Sequence, residues 1–432
     1  MKILYTIAGF YRPAGMERVL SLKARHFAAQ GCEVVIVTTE QKGRAPAFEL
    51  PADVRLVDLG IGYEDNNGGP LVSKVLGLPF KRLRHRRALR AVLAAERPDV
   101  AVSMFCGDEA FLWTDASDSR SVQTVLECHF SRYKRVQYGR RGLWGLADRW
   151  RSAREPRLAS KFDHFVVLTE EDRGLWLADC PALSRNISVI PNPRTFKPAD
   201  FAAAEGSADG SAGADGSAGA GNSICTNCGR RGKTVLAAGR YCYQKGFERL
   251  LEAWSLIPEE TRAGWTLRIA GDGEDRAALE GQAARLGLWT HASDSRLSNI
   301  VLGPSRDMVS EYSRASVFAL TSRYEGLPMV LLEAQAAGLP IVSFDCKCGP
   351  RDVVSDGVES RDGILTPEGA DGFLVREGDV AAFAERLSQL MTDAELRERM
   401  SGAATEASER FDEELIMKKW EDLLIFPTTD PR

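Results

Sequence analysis

Short apolar runs rich in Val and Ile recur along this chain, separated by longer stretches in which apolar positions return every three or four residues. In the first half the runs fall at 2–7, 33–38, 54–59, 99–104, 122–127, 164–168 and 187–190, with helical periodicity at 17–29, 83–96 and 170–178. Runs of that length bounded by turn residues predict buried strands, and the three-to-four period predicts amphipathic helices. The second half repeats the pattern, with strands expected at 234–238, 266–270, 300–302, 317–320 and 340–344 and helices at 246–255, 275–286, 307–313, 329–337 and 380–390. Strand–helix alternation builds parallel, doubly wound sheets. The expected fold is α/β, two Rossmann-like doubly wound lobes facing a cleft, with a last amphipathic helix at 411–424 that crosses back to the amino-terminal lobe.

Domain boundaries follow from where the pattern lapses. Residues 206–223 are almost entirely Gly, Ser, Ala, Asp and Asn, a composition that cannot bury enough apolar surface to order itself. The expected division is 1–195 as an amino-terminal Rossmann-like lobe, 196–232 as a linker carrying this insertion, 233–410 as a carboxyl-terminal Rossmann-like lobe, and 411–432 as a final helix and tail. A length of 432 residues suits two domains.

Composition narrows the class. Apolar residues make up 44% and charged residues 27% of the chain, the balance of a globular protein. The longest apolar stretch, 328–344, is interrupted by Glu333, Gln335 and Gly338, so no transmembrane span is expected. Residues 3–10 read as a first buried strand and not as a signal peptide. Nine irregularly spaced cysteines fit reduced thiols in the cytoplasm.

The net charge of -4 conceals an asymmetry: residues 1–199 carry 31 Lys and Arg against 22 Asp and Glu, leaving 25 against 38 for the remainder. Ten of those cations lie between Arg132 and Lys161, interleaved with Tyr133, Tyr138, Trp144 and Trp150, and eight lie between Lys74 and Arg97. Basic clusters with interfacial aromatics suit an anionic membrane surface or a lipid-linked phosphate. Nucleic acid is a rival partner that we do not expect, and a merely solvated basic face is the plainer alternative.

The strongest chemical signal is Ser322-Arg323-Tyr324-Glu325-Gly326-Leu327-Pro328-Met329, followed by Glu333. A strand ends there, a turn follows at Gly326, and Pro328 stands near the first turn of a helix. Backbone N–H groups from Gly326 through Leu327 and Pro328 to Met329 would be presented to an anion such as a diphosphate. Glu333, about one helical turn inward, could accept from a ribose diol, and Glu325 would stand near a projecting sugar. Arg240 and Lys245 follow another strand and supply the forked donors and point charge that a pyrophosphate requires, although surface cations are the bland reading.

Two glutamates so spaced, then a small-residue helix and Gly338-Leu339-Pro340-Ile341-Val342, resemble the signature of family-4 retaining glycosyltransferases with the GT-B fold. Gly239-Arg240 with Lys245-Gly246 resembles that family's diphosphate clamp, Gly271-Asp272-Gly273 its next strand loop, and Pro191-Asn192-Pro193 its domain crossing. Pro13-Ala14-Gly15-Met16-Glu17 resembles its first glycine turn, with Ala14 where the family expects a glycine. The resemblance implies a donor set of Gly15, Arg240, Lys245, Gly271, Gly326, Leu327, Pro328, Met329 and Glu333. It implies a catalytic set of His129, Arg240, Lys245 and Glu325, with His129 meeting the sugar; Asn192 and Arg194 near the domain crossing are lesser candidates for ligand contact. It also implies retention at the anomeric carbon, a UDP-sugar donor carrying a hexose or N-acetylhexosamine, a lipid-linked or oligosaccharide acceptor, and assembly of surface glycans by an enzyme peripheral to the membrane. No cofactor is expected.

Rival readings stay in view. A nucleotide-sugar epimerase uses the same fold, and paired carboxylates invite a hydrolase reading. A dinucleotide oxidoreductase needs Gly-x-Gly-x-x-Gly, and Gly271-Asp272-Gly273 lacks the third glycine. Cys225 with Cys228, joined by Cys346 and Cys348, is a conceivable zinc set, but Cys225 borders the insertion and one residue separates the second pair, so no metal is expected.

Overall fold

The computed structural model describes residues 1–63, 71–105, 107–109, 111–112, 122–137, 142–201, 231–288, 299–354 and 369–425. The Gly/Ser/Ala insertion, Cys225 and Cys228 lie outside the described residues. The chain divides into two compact units, one of Met1–Asn192 with Glu414–Arg432, the other of Pro193–Glu413.

The first unit is built on seven strands, β1 (Lys2–Ile7), β2 (Glu33–Thr38), β3 (Arg55–Asp58), β4 (Val100–Ser103), β5 (Gln123–Glu127), β6 (His164–Val167) and β7 (Ile187–Val189). They lie in the order β3-β2-β1-β4-β5-β6-β7, and every pairing is parallel. Both faces are covered, which explains the uninterrupted apolar runs. Ile3, Tyr5 and Ile7 enter one core with Leu20, Ala24 and Phe27 of the helix Gly15–Ala29. Leu4, Val35 and Val37 enter the other with Leu89, Phe165 and Trp176.

The last helix, Glu413–Leu424, docks on the first of these faces: Ile416, Met417, Trp420 and Leu424 join its core. His26 Nε2 meets Glu421 Oε1 at 2.8 Å, and Gln123 Nε2 donates to Leu423 O at 3.2 Å. The end of the chain thus crosses back to the amino-terminal unit.

The second unit holds six parallel strands, β8 (Thr234–Ala238), β9 (Thr266–Ala270), β10 (Ile300–Gly303), β11 (Val317–Leu320), β12 (Ile341–Asp345) and β13 (Gly372–Arg376), in the order β10-β9-β8-β11-β12-β13. Its core gathers Val235, Ala237, Leu267, Ile269 and Val342 with Leu250 and Trp254 of the helix Phe247–Leu256 and Phe383 and Leu387 of the helix Val380–Thr392.

The expected doubly wound α/β architecture is present in each unit. Several of the described elements differ from expectation, these four among them. The helix Leu71–Glu96 begins well before residue 83 and runs through Pro79. The helices Gly142–Ala159 and Ala394–Ser408 and the edge strand β13 were not expected at all. Gly142–Ala159 lacks an apolar stripe, because its arginines and tryptophans break the period.

Candidate functional site

Each sheet reverses its winding at one place, between β1 and β4 in the first unit and between β8 and β11 in the second. Loops leaving the carboxyl ends of strands beside such a reversal splay apart and leave room for a ligand. Of the expected site residues of the second unit, Arg240 and Lys245 follow β8 and Glu325 to Glu333 follow β11, the two strands that flank its reversal, whereas Gly271 follows β9.

In the second unit the loops after β8 and β11 do not splay at their bases, where residues 244–245 are hydrogen-bonded to residues 321–324. Thr321 Oγ1 donates to Lys245 O at 3.2 Å, Arg323 N to Gln244 O at 2.8 Å, and Gln244 Nε2 to Tyr324 O at 3.0 Å. Arg323 lies 4.0 Å from the Tyr243 ring centroid and pairs with Glu248. Gly246, at φ +61°, starts the helix Phe247–Leu256, and a Cβ there would fall 2.4 Å from Thr321 O. Only glycine lets the β8 loop press this closely on the end of β11.

On that frame Lys245 Nζ reaches Glu325 Oε1 at 2.8 Å, and Gln244 Nε2 approaches the other carboxylate oxygen at 3.4 Å. Glu325 is 7% exposed. Both predicted charges are therefore together, and they meet as an ion pair. An ammonium has three donors, so bonding to Glu325 does not exhaust Lys245. Arg240 directly follows Gly239 after β8 and is exposed. Ser322 Oγ, at the end of β11, is buried with no hydrogen-bond partner.

Pro328 is the first residue outside the helix Met329–Ala336, with extended backbone and no side-chain cap. Gly326 is half-buried, Leu327 and Pro328 are buried, and Met329 is half-buried. Uncapped N–H groups at a helix start carry partial positive charge. Glu333 lies one turn in, and both of its oxygens accept hydroxyls: Thr195 Oγ1 donates to Oε1 at 2.7 Å and the Tyr312 hydroxyl to Oε2 at 2.8 Å. The carboxylate that an apolar helix face would otherwise leave costly is thus satisfied. Gly271 packs so tightly that a Cβ would fall 1.9 Å from Gly239 O, and its N–H donates to Gly303 O at 2.9 Å. In this structure that glycine seals two loops together.

In the first unit Gly15 is exposed and opens the helix Gly15–Ala29, with Ala14 in extended geometry at φ -120°. That backbone suits any residue, which is why alanine is tolerated there. His129 follows β5. Its Nε2 is buried and 2.9 Å from Glu127 Oε1, but the N–H does not point along that line and has no aligned acceptor. Glu17, in the first turn of the same helix, also faces His129, and burial raises its carboxyl above the ordinary range, with Arg12 and His129 opposing. Asn192 is buried, whereas Arg194 is held by Ser408 Oγ at 2.8 Å and Asp412 Oδ2 at 2.7 Å, a structural use.

Beside β4 and β5, Asp108 accepts from the Thr6 and Ser103 hydroxyls. Burial, together with that neighbouring carboxylate, pushes Glu109 up to about 7. A cavity of about 210 Å³ opens nearby, lined by Phe105, Phe130, Trp176, Arg132, Lys134 and Arg135 among others. Arg132 is buried, and its Nε has no hydrogen-bond partner.

Sequence reasoning missed Gln244, Thr195, Tyr312, Glu127 and Lys23. Gln244 stood beside Lys245 in the motif, and Glu127 shares a strand parity with His129; Thr195 and Tyr312 carried no signal, because their partner is 138 and 21 residues away.

Two doubly wound parallel units, with charged loops at the reversal of the second sheet, define the GT-B class of glycosyltransferase fold. Residues 13–194 match the family described as Glycosyltransferase Family 4, and residues 229–407 match Glycosyl transferases group 1. The chain belongs to the family-4 glycosyltransferases. It is similar to the amylovoran biosynthesis glycosyltransferase AmsD of Erwinia amylovora, 39% identical over 45% of this chain and 49% of that one. It spans between 25% and 61% of the length of the first curated relatives it matches. Among solved structures, WaaG, a glycosyltransferase of lipopolysaccharide biosynthesis, aligns at TM-score 0.68 and 16% identity, covering 98% and 99% of the two chains. HepE of Anabaena in complex with UDP and glucose aligns at TM-score 0.63 and 17% identity, covering 99% and 100%.

Proposed function

We propose that this chain is a retaining glycosyltransferase that moves a hexose or N-acetylhexosamine from a UDP-sugar to a lipid-linked or polysaccharide acceptor in surface glycan assembly. The observation that carries the reading is the Lys245–Glu325 pair, set between two loops that are bonded together at the reversal of the six-stranded sheet. In this reading the diphosphate rests on the uncapped start of the helix Met329–Ala336, and Arg240 and Lys245 meet its charge, without a metal ion in the set. Glu333 receives the ribose hydroxyls, which join or displace its Thr195 partner. The choice of UDP draws on the nucleotide held by HepE, and the glycan class on the role named for AmsD.

In the reaction the acceptor hydroxyl attacks the anomeric carbon from the face the diphosphate leaves. The new glycosidic C–O bond forms as the C–O bond to phosphate breaks. The hydroxyl proton passes to the departing phosphate oxygen, so no side chain needs to act as a base. Positioning and charge stabilisation supply the acceleration. Glu325 steers the sugar and holds Lys245 toward the leaving group; it is not a nucleophile.

Two features of the amino-terminal unit support an anionic, lipid-linked acceptor. Phe80 and Leu83 are exposed among Arg82, Arg84, Arg86 and Arg87, and Leu146 and Trp150 among Arg149, Arg154 and Arg157. Such faces suit a peripheral enzyme at an acidic membrane surface. Among the described residues no helix is long and apolar enough to cross a membrane.

A thermal-shift panel of UDP, GDP, ADP and NAD tests the reading. Stabilisation by UDP is expected; stabilisation by NAD alone would point to the oxidoreductase alternative and defeat it.

A further inference from the structure

In the amino-terminal unit the carboxylate of Glu127 is divided between two cations or potential cations. Its Oε2 meets Lys23 Nζ at 2.6 Å, and its Oε1 faces His129 Nε2 at 2.9 Å. Lys23 is fully buried and Glu127 is 1% exposed. The lysine comes from the helix Gly15–Ala29, the glutamate from the end of β5, and a third element closes the group: the Trp420 ring centroid lies 3.4 Å from Lys23 Nζ. The Tyr5 ring centroid lies 5.2 Å from the same Nζ, and the Tyr5 hydroxyl is buried and without a partner. Trp420 belongs to the helix Glu413–Leu424, so the end of the chain seals the network.

A buried ion pair is weak grounds for stability, because desolvating two charges offsets most of their attraction, and apolar replacements of similar volume are often neutral or better. The elements that carry the pair and close over it also supply Leu20, Ala24, Val125 and Met417 to the apolar core. Burial opposes both charges, yet Lys23 and His129 together hold Glu127 down to about 2. Burial lowers Lys23 while Glu127 opposes that shift. The pair therefore presents a fixed carboxylate to one edge of the His129 ring, with Glu17 facing the same ring.

We infer that Lys23 and Glu127 are positioning residues for His129: Glu127 sets its carboxylate against the Nε2 edge of the ring and leaves Nδ1 for substrate, and Lys23, sealed by Trp420, holds Glu127 in place. This rests on the reading of His129 as the amino-terminal unit's substrate-contacting side chain.

The test is the paired variant Lys23→Met with Glu127→Gln, which removes both charges and keeps the volume. Two readouts are taken: the ring 15N resonances of His129 by NMR, which require no turnover, and steady-state transfer from a UDP-sugar. In a folded protein the ring resonances should move, and kcat should fall on the order of 10- to 100-fold with donor KM little changed, the cost of a misaligned reacting group. Should that variant fail to fold, Lys23→Met with Glu127→Leu carries the same readouts. Unmoved His129 resonances would overturn the inference. Moved resonances with undiminished turnover would show that the pair orients a histidine with no part in transfer, which overturns the positioning role and the reading of His129 while leaving the donor assignment in the other unit standing.

Discussion

Lys245 Nζ stands 2.8 Å from Glu325 Oε1, so the cation that follows β8 and the carboxylate that follows β11 are bound to each other across the reversal of the second sheet. A leaving diphosphate would draw on an ammonium that Glu325 already orients, and a sugar would meet a carboxylate whose charge Lys245 already balances. Gln244, touching both Tyr324 O and the second Glu325 oxygen, keeps that geometry.

Replacing Glu325 with glutamine keeps the shape and removes the charge. Turnover should fall about 10²- to 10³-fold, the range for loss of one preorganised electrostatic group, while UDP affinity stays within a few-fold. Steady-state kinetics alongside calorimetric UDP binding checks both parts; full activity would remove Glu325 from the mechanism.

Glu333 makes a separable prediction. Glu333→Ala should weaken UDP binding about 10- to 100-fold, the value of hydrogen bonds to a charged group. Tyr312→Phe, which removes one of its partners, should cost about 1 kcal/mol of stability and leave UDP binding nearly unchanged. Equal losses of affinity in the two variants would assign Glu333 to the framework.

Glu109 gives the amino-terminal unit a pH dependence. Burial and Asp108 raise its folded-state pKa from 4.5 to about 7, so the folded state holds a proton that the unfolded state has released. Between those values stability falls as pH rises, and the contribution is fully present only below 4.5. Glu109→Gln should flatten the decline in melting temperature over that window. An unchanged slope would mean that Glu109 ionises normally.

Trp420 ties the chain's end to the amino-terminal core. Trp420→Ala should destabilise that unit by about 3–5 kcal/mol and speed amide exchange in β1 and β5 while leaving β8 and β11 protected. Uniform loss of protection would show that the helix Glu413–Leu424 is not specific to the first unit.

Much of this architecture was legible in the sequence because its strands are covered on both faces and read as unbroken Val and Ile runs. Lys2–Ile7, Glu33–Thr38 and Thr234–Ala238 fall where those runs predict. The motif at Glu325 and Glu333 was legible because a strand end, a glycine turn and a proline at a helix start have local signatures. What stayed hidden depends on distant partners. Lys23 looks like a solvated residue of an amphipathic helix until Glu127, 104 residues on, lies against it. The helix Gly142–Ala159 shows no periodicity because Arg149, Arg154 and Arg157 lie exposed along it while Glu155 pairs with Arg135 from outside the helix. Pro79 argues locally for a break, and the helix Leu71–Glu96 runs through it.

The most direct measurement is calorimetric titration of UDP into the intact protein and into the Arg240→Ala, Lys245→Ala double variant, with melting temperatures of both recorded without ligand. The account predicts that the variant stays folded and binds UDP at least about 100-fold more weakly, a loss of about 2.8 kcal/mol at 1.4 kcal/mol per tenfold. Equal affinity in the two proteins would contradict it, because the nucleotide's phosphates would then rest somewhere other than on these two side chains.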